Sequence, residues 1–177
     1  REDDRVDGIF IRAATDGMAA SQAEELRAAL SGGKIPASTP VWREGMGEWQ
    51  QISIFLSPVD VHINRTPYGG EITRIAYTPG KFLAAYDDRA AAENERNEVW
   101  VRSGDRTVVF RQVVGVLARR VVCRVQVGDR LEAGERFGLM KFGSRMDVFV
   151  PLACRLQVRP GDVVRGGESV IARWPEA

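Results

Sequence analysis

Two stretches near the C-terminus of this chain are copies of one another. Residues 125–140 read VQVGDRLEAGERFGLM, and residues 158–173 read VRPGDVVRGGESVIAR. At an offset of 33, Val125 matches Val158, Gly128 matches Gly161, Asp129 matches Asp162, Gly134 matches Gly167 and Glu135 matches Glu168. Each copy reads as strand, Gly-Asp turn, strand, Gly-Glu turn, strand. β-Branched alternation is broken twice, at the same places, by residues that favour turns. The repeat therefore predicts two equivalent β units related by a pseudo-two-fold axis.

The β texture begins at Ile52. ISIF, VDVHIN, GEITRIAY, EVWVRS, TVVFRQVVGVLARRVVCRVQV, RFGLMKF, MDVFVP, CRLQV and ESVIARW are β-branched and largely alternating, with Gly, Pro, Asn and Asp between them. The polar stretch YDDRAAAENERN interrupts them as a loop with helical character. Upstream of residue 51 the pattern differs. AASQAEELRAALS, residues 19–31, places Ala23, Leu26, Ala29 and Leu30 at helical spacing. Ser21 and Glu24 form a capping box, and Gly32–Gly33 stop the helix. DGIFIRA before it reads as a short strand, and a segment with Trp42 and Trp49 follows. The expectation is a mainly β chain, α+β overall. A small β-α-β module spans residues 1–50, and a β domain of barrel or sandwich type spans residues 52–177.

Charge and composition remove several function classes. A net charge of +1 gives no field for nucleic acid. His62 is the sole histidine, which rules out multi-histidine metal centres, and no metal site is expected. Cys123 and Cys154 lack CxxC spacing and read as buried free thiols. No stretch approaches the about 18 apolar residues of a spanning helix, and no signal peptide opens the chain. Membrane contact is expected to be peripheral.

The stretch GLMKFGSRMDVF, residues 138–149, holds the chemistry-bearing letters. The repeat resembles the barrel-sandwich hybrid of biotinyl and lipoyl carriers, whose hairpin tip presents a lysine within Met-Lys-Met. Met140–Lys141–Phe142 matches two of those three residues, which makes Lys141 a candidate for carrier modification. Gly143–Ser144 beside it reads either as a tight turn or as a bond at which the chain cuts itself.

Residues 52–174 resemble the short bacterial and archaeal phosphatidylserine decarboxylases. The resemblance rests on ISIFLSPVDVHINRTP, ITRIAYTPGKFLAA, ENERNEV, QVVGVLARRVVC, GDRLEAGERFGLMKFGSRMDVFVP and VRPGDVVRGGESVIAR, in that order. It places the family's Gly-Ser cleavage motif on Gly143–Ser144. It implies that the Ser144 hydroxyl attacks the Gly143 carbonyl, forming an ester by N-to-O acyl shift. β-Elimination then separates residues 1–143 from residues 144–177, and hydrolysis leaves a pyruvoyl group where Ser144 stood. That group is an electrophile that takes the substrate amine and accepts the electron pair released with carbon dioxide. The implied partners are phosphatidylserine, an anionic membrane surface and the chain's own two cleavage products, with self-association left open. The implied location is cytoplasmic, peripheral at the inner face of the cell membrane.

The resemblance also puts His62 at the position of the family's motif histidine, the base for Ser144, with an ordinary pKa suited to proton transfer near neutrality. In the family an upstream Ser-Pro-Ala-Asp-Gly aspartate orients that histidine. No such segment precedes Ile52 here, so the chain is expected to be N-terminally truncated relative to the family. Asp7 and Asp16 precede glycine without the Ser-Pro context, and Asp60 shares a strand face with His62 as a local substitute. Lys81, Arg119, Arg120 and Arg145 are the candidate cations for phosphate or carboxylate. Residues 1–50, through LRAALSGGKI and VWREGMGEWQQI, resemble the bacterial GYF-like modules, which implies a peptide partner. Beside the decarboxylase reading stand two rivals: a processing-defective binding protein, and a carrier modified on Lys141.

Overall fold

β-Branched residues with period-two alternation bury one side of each strand and leave the other for a second layer. The computed structural model describes residues 8–11, 38–41, 49–56, 62–87, 89–117, 120–141 and 144–175, with backbone pairing alone for 8–11 and 38–41. In chain order the strands are β1 (Gly8–Ile11), β2 (Ser38–Val41), β3 (Trp49–Leu56), β4 (Ile63–Arg65), β5 (Gly70–Thr78), β6 (Arg96–Ser103) and β7 (Arg106–Val113). They continue with β8 (Val121–Cys123), β9 (Arg130–Leu131), β10 (Arg136–Met140), β11 (Ser144–Pro151), β12 (Arg155–Leu156) and β13 (Ser169–Arg173). One helical turn, α1 (Ala90–Glu93), falls inside the polar interruption.

Seven strands form an antiparallel sheet in the order β2-β3-β11-β7-β6-β5-β9, and two three-stranded sheets, β4-β10-β8 and β1-β13-β12, complete the fold. The mainly β expectation holds. The core lies between the inner face of the large sheet and the small ones. Ile52, Ile54, Val99, Val101, Val108, Phe110, Met146 and Val148 meet Phe137, Met140, Ile171 and Ala172 there. Phe110 and Phe137 pack edge to face with centroids 4.7 Å apart. The outer face carries a second cluster, in which Trp49, Val109 and Phe149 are joined by Trp100. The expected helix over 19–31 and Trp42 lie outside the described residues.

The repeat is visible turn for turn. Asp129 accepts the Gln126 N–H at 2.9 Å, and Asp162 accepts the Arg159 N–H at 2.8 Å. Gly128 and Gly161 have φ of +96° and +90°, and Gly134 and Gly167 have φ of +82° and +80°. Such left-handed positions are where glycine carries no steric penalty. The copies pair alike, β8 on β10 in one and β12 on β13 in the other. The third strand of each small sheet is also equivalent, since β4 pairs with β10 through Ile63↔Leu139 and β1 with β13 through Ile9↔Ala172. Backbone pairing thus crosses the expected boundary near residue 51, through β1 on β13 and β2 on β3.

Candidate active site

Strand register brings Ser144 to one end of the large sheet. Thr78, Arg96, Val113, Arg145 and Phe55 lie directly opposite one another across five strands, and Ser144 with Leu56 is one step further out. Segments 57–62, 79–95, 114–120 and 141–143 all leave or enter the strands at this end. Ser144 opens β11 with its side chain on the core face, in line with Met146 and Val148. It is 1% exposed, and its Oγ has no hydrogen-bond partner among the described residues. Buried polar groups are nearly always partnered, so a buried, unengaged hydroxyl at a strand start marks a candidate site.

His62 lies at the same edge. It is half-buried just before β4, and its carbonyl accepts the Met140 N–H at 3.1 Å. Met140 ends β10 of a small sheet, and Ser144, four positions further along the chain, opens β11 of the large one. The fold thus ties the histidine's backbone to the end of the strand that precedes the serine. Lys141 is exposed directly after β10, and Arg120 is exposed just before β8. Lys81 is exposed and paired at 2.7 Å with Glu93, which its ammonium holds below the usual carboxylate range. Arg145 points to the opposite face, 2% exposed, with Nε 2.9 Å from Asp147 Oδ1. Gly143, Asp60 and Arg119 lie outside the described residues.

Beneath Ser144 runs a chain of buried amides that the sequence reading did not single out. Asn97 Nδ2 donates to Gln112 Oε1 at 3.2 Å, and Gln112 Nε2 donates to Asn64 Oδ1 at 2.7 Å. Asn64 stands two residues after His62, so the relay reaches the histidine's own strand. Gly138 makes room for it: a β-carbon there would lie 3.0 Å from Gln112 Nε2 and 2.2 Å from the Val122 carbonyl. The stretch ENERN also acquires a role. Asn94 is fully buried, exchanges hydrogen bonds with both the N–H and the carbonyl of Leu83, and donates to the Val114 carbonyl at 2.8 Å. It locks segments 79–87 and 114–117 to each other at the rim. The available signal was parity, since Asn97 and Gln112 occupy the same alternating positions as the buried Val99, Val101, Phe110 and Val108.

The family model for phosphatidylserine decarboxylase matches residues 12–172, a span that holds both Ser144 and His62. This chain belongs to the phosphatidylserine decarboxylase family. It is similar to proteins named phosphatidylserine decarboxylase proenzyme from several bacteria. The match to that of Pelodictyon phaeoclathratiforme is 46% identical over 123 residues, 70% of this chain and 58% of the relative. That to Gluconobacter oxydans is 49% identical over 136 residues, 76% of this chain and 57% of the relative. That to Saccharopolyspora erythraea is 40% identical over 163 residues, 92% of this chain and 68% of the relative. The chain thus spans less than two thirds of the length of the first two of these relatives. In this phosphatidylserine decarboxylase family member, Ser144 is a strand start whose hydroxyl is buried and without a hydrogen-bond partner among the described residues. The exposed Lys141 side chain stands outside that dry spot.

Proposed function

We propose that this chain cuts itself between Gly143 and Ser144 and decarboxylates phosphatidylserine to phosphatidylethanolamine with a pyruvoyl group formed from Ser144. The observation that carries this reading is the Ser144 Oγ, buried and without a hydrogen-bond partner among the described residues, at the start of β11. A hydroxyl in that state is neither solvated nor spent on structure, so it is available for attack on the preceding carbonyl. His62 takes its proton as the oxygen adds to the Gly143 carbonyl. Collapse moves the acyl group from nitrogen to oxygen and frees the amine of residue 144. Loss of the α-proton then expels the Gly143 carboxylate, and water replaces the nitrogen, releasing ammonia.

The product group is built from residue 144 itself and fits the space the serine held. A ketone carbonyl needs no donor there, and the neighbours Leu56 and Met146 are apolar. Once formed, a pyruvoyl carbonyl supplies the electron sink for loss of carbon dioxide from an amino acid. The chain's own residues supply binding and proton handling. His62 stands at the edge of the site for proton transfer, while Lys141 and Arg120 present exposed cations to the phosphodiester and carboxylate. Tyr86, Val116 and Leu117 are exposed at the same end, at 59%, 52% and 64%. Apolar tips among cations suit docking on an anionic bilayer, and no helix among the described residues is long and apolar enough to cross one. A peripheral position at the inner face of the cell membrane is part of this proposal.

The test is incubation of the purified chain with phosphatidylserine labelled in its carboxyl group. Labelled carbon dioxide, lost after borohydride reduction of the protein, supports the proposal. An intact chain that binds the lipid without releasing carbon dioxide supports the processing-defective binding protein instead.

A further inference from the structure

The outer face of the large sheet holds a buried charge network that the reaction above does not use. Ser53, Asp147, Arg111 and Glu98 lie directly opposite one another on β3, β11, β7 and β6. Ser53 Oγ donates to Asp147 Oδ1 at 2.9 Å, Arg111 Nη1 stands 3.8 Å from Asp147 Oδ2, and Arg111 Nη2 stands 3.2 Å from Glu98 Oε2. Cross-strand pairs of this kind are the unit of sheet stabilisation. Arg145, from the next row, folds back on this ladder. Its Nη2 donates to Asp147 Oδ2 at 3.3 Å, and its Nη1 donates to the Ala85 carbonyl at 2.9 Å. Its guanidinium also lies over Phe55, 5.7 Å from the ring centroid. The two guanidinium groups and two carboxylates balance, which is what a nearly dry site requires.

The place of Arg145 in the chain gives this network its meaning. Ser144 pairs with β3 alone, whereas Arg145 is the first residue of β11 paired on both sides, with Phe55 and with Val113. The boundary between the singly and the doubly held backbone therefore falls one bond past the candidate nucleophile. Cleavage between Gly143 and Ser144 would turn that point into a chain terminus, held on one side by β3 and on both sides only from residue 145 onward. The Ala85 contact also joins the terminus to the rim segment that Asn94 locks in place.

We propose that Arg145, held by Asp147, is a positioning residue: it fixes residue 144 for attack and keeps the new chain start in register after cleavage. The inference rests on the self-cleavage reading above. Attack within one turn of backbone depends on geometry, and a misplacement of about 1 Å can cost about a hundredfold in rate. A side chain clamped at three points one residue away is the available means of preventing that misplacement. Arg145 is thereby assigned to the protein's own backbone rather than to substrate.

The test compares Arg145→Met with Asp147→Asn as a double variant, which leaves no unmatched charge between the two positions, and Arg145→Lys. Self-cleavage is followed by intact mass, and kcat and KM are measured on fully cleaved protein with a short-acyl, water-soluble phosphatidylserine. The expected result is cleavage slowed by about tenfold to a hundredfold in the double variant, with kcat lowered, KM unchanged and partial rescue in Arg145→Lys. Cleavage and kcat at the unmodified rate in the double variant overturn the proposal, as does a loss that appears only in KM. If the unmodified chain itself never cleaves, the decarboxylase reading fails. The clamp is then judged by hydrogen exchange alone: faster exchange at amides 144–146 in the double variant supports it, and unchanged exchange overturns it.

Discussion

Ser144→Ala is the substitution in which the structure predicts opposite effects on activity and stability. The Oγ is buried and unpartnered, and a buried hydroxyl without a partner costs about 1–3 kcal/mol of desolvation. Truncation removes that cost and forfeits only the dispersion contacts of one oxygen, about 0.1–0.2 kcal/mol each. The net expectation is a fold more stable by about 1 kcal/mol, read as a rise in Tm of about 2–4 °C for a chain of this size. Cleavage is abolished at the same time. The comparison is made in uncleaved chains, with His62→Asn supplying the background in which the hydroxyl is present and intact. Thermal unfolding by circular dichroism reads stability, and intact mass reads cleavage. A fall in Tm for Ser144→Ala in that background refutes the reasoning, because it means the hydroxyl is held by a partner. Fragments persisting in Ser144→Ala refute the nucleophile.

Four further outcomes follow from the geometry. Gly138→Ala drives a β-carbon to 2.2 Å from the Val122 carbonyl, so denaturant unfolding should show a loss of about 2 kcal/mol or more. Two of the three aspartates considered for orienting His62 are separable by Asp7→Asn and Asp60→Asn. β1 begins directly after Asp7 and comes within 8 Å of β4, so Asp7→Asn is expected to slow cleavage about a hundredfold or more, with Asp60→Asn near normal; the reverse pattern assigns Asp60. Burial raises the Cys154 thiol from 9.0 to about 11. The folded chain therefore holds that proton more tightly than the unfolded one, and the stability it contributes is complete below about pH 9 and lost as pH rises toward 11. Iodoacetamide at pH 9 should label the half-buried Cys123 and spare Cys154 until unfolding, and the opposite order would contradict this. Val116→Asp with Leu117→Asp should weaken binding to anionic vesicles about tenfold or more in sedimentation, with self-cleavage unchanged.

The parts of the fold that were legible are those written in local period and repetition. The Gly-Asp and Gly-Glu turns predicted from the two copies appear with equivalent hydrogen bonds, because an aspartate capping its own turn needs only neighbouring residues. Pairings between distant segments were not legible. The Ser53–Asp147–Arg111–Glu98 row depends on the register of four strands, and no local pattern states which residue of β3 faces which residue of β11. For that reason Arg145 read as a cation for substrate, although its alternation with Ser144 already sent it to the other face. Asn94 and Asn97 were overlooked because polar residues in a polar stretch suggest a solvated loop, and Gln112 because a single amide within an apolar strand carries no motif. Their parity with buried valines was the clue, and it became decisive only once the partners were in place.

The central claim is that the bond before Ser144 is broken by the protein itself, and intact mass of the purified chain under denaturing conditions tests it most directly. The account predicts two species, one ending at Gly143 and one comprising residues 144–177 with a pyruvoyl group in place of the N-terminal serine. A single uncut chain of unmodified mass contradicts it, and an uncut chain with an adduct on Lys141 replaces it with the carrier reading.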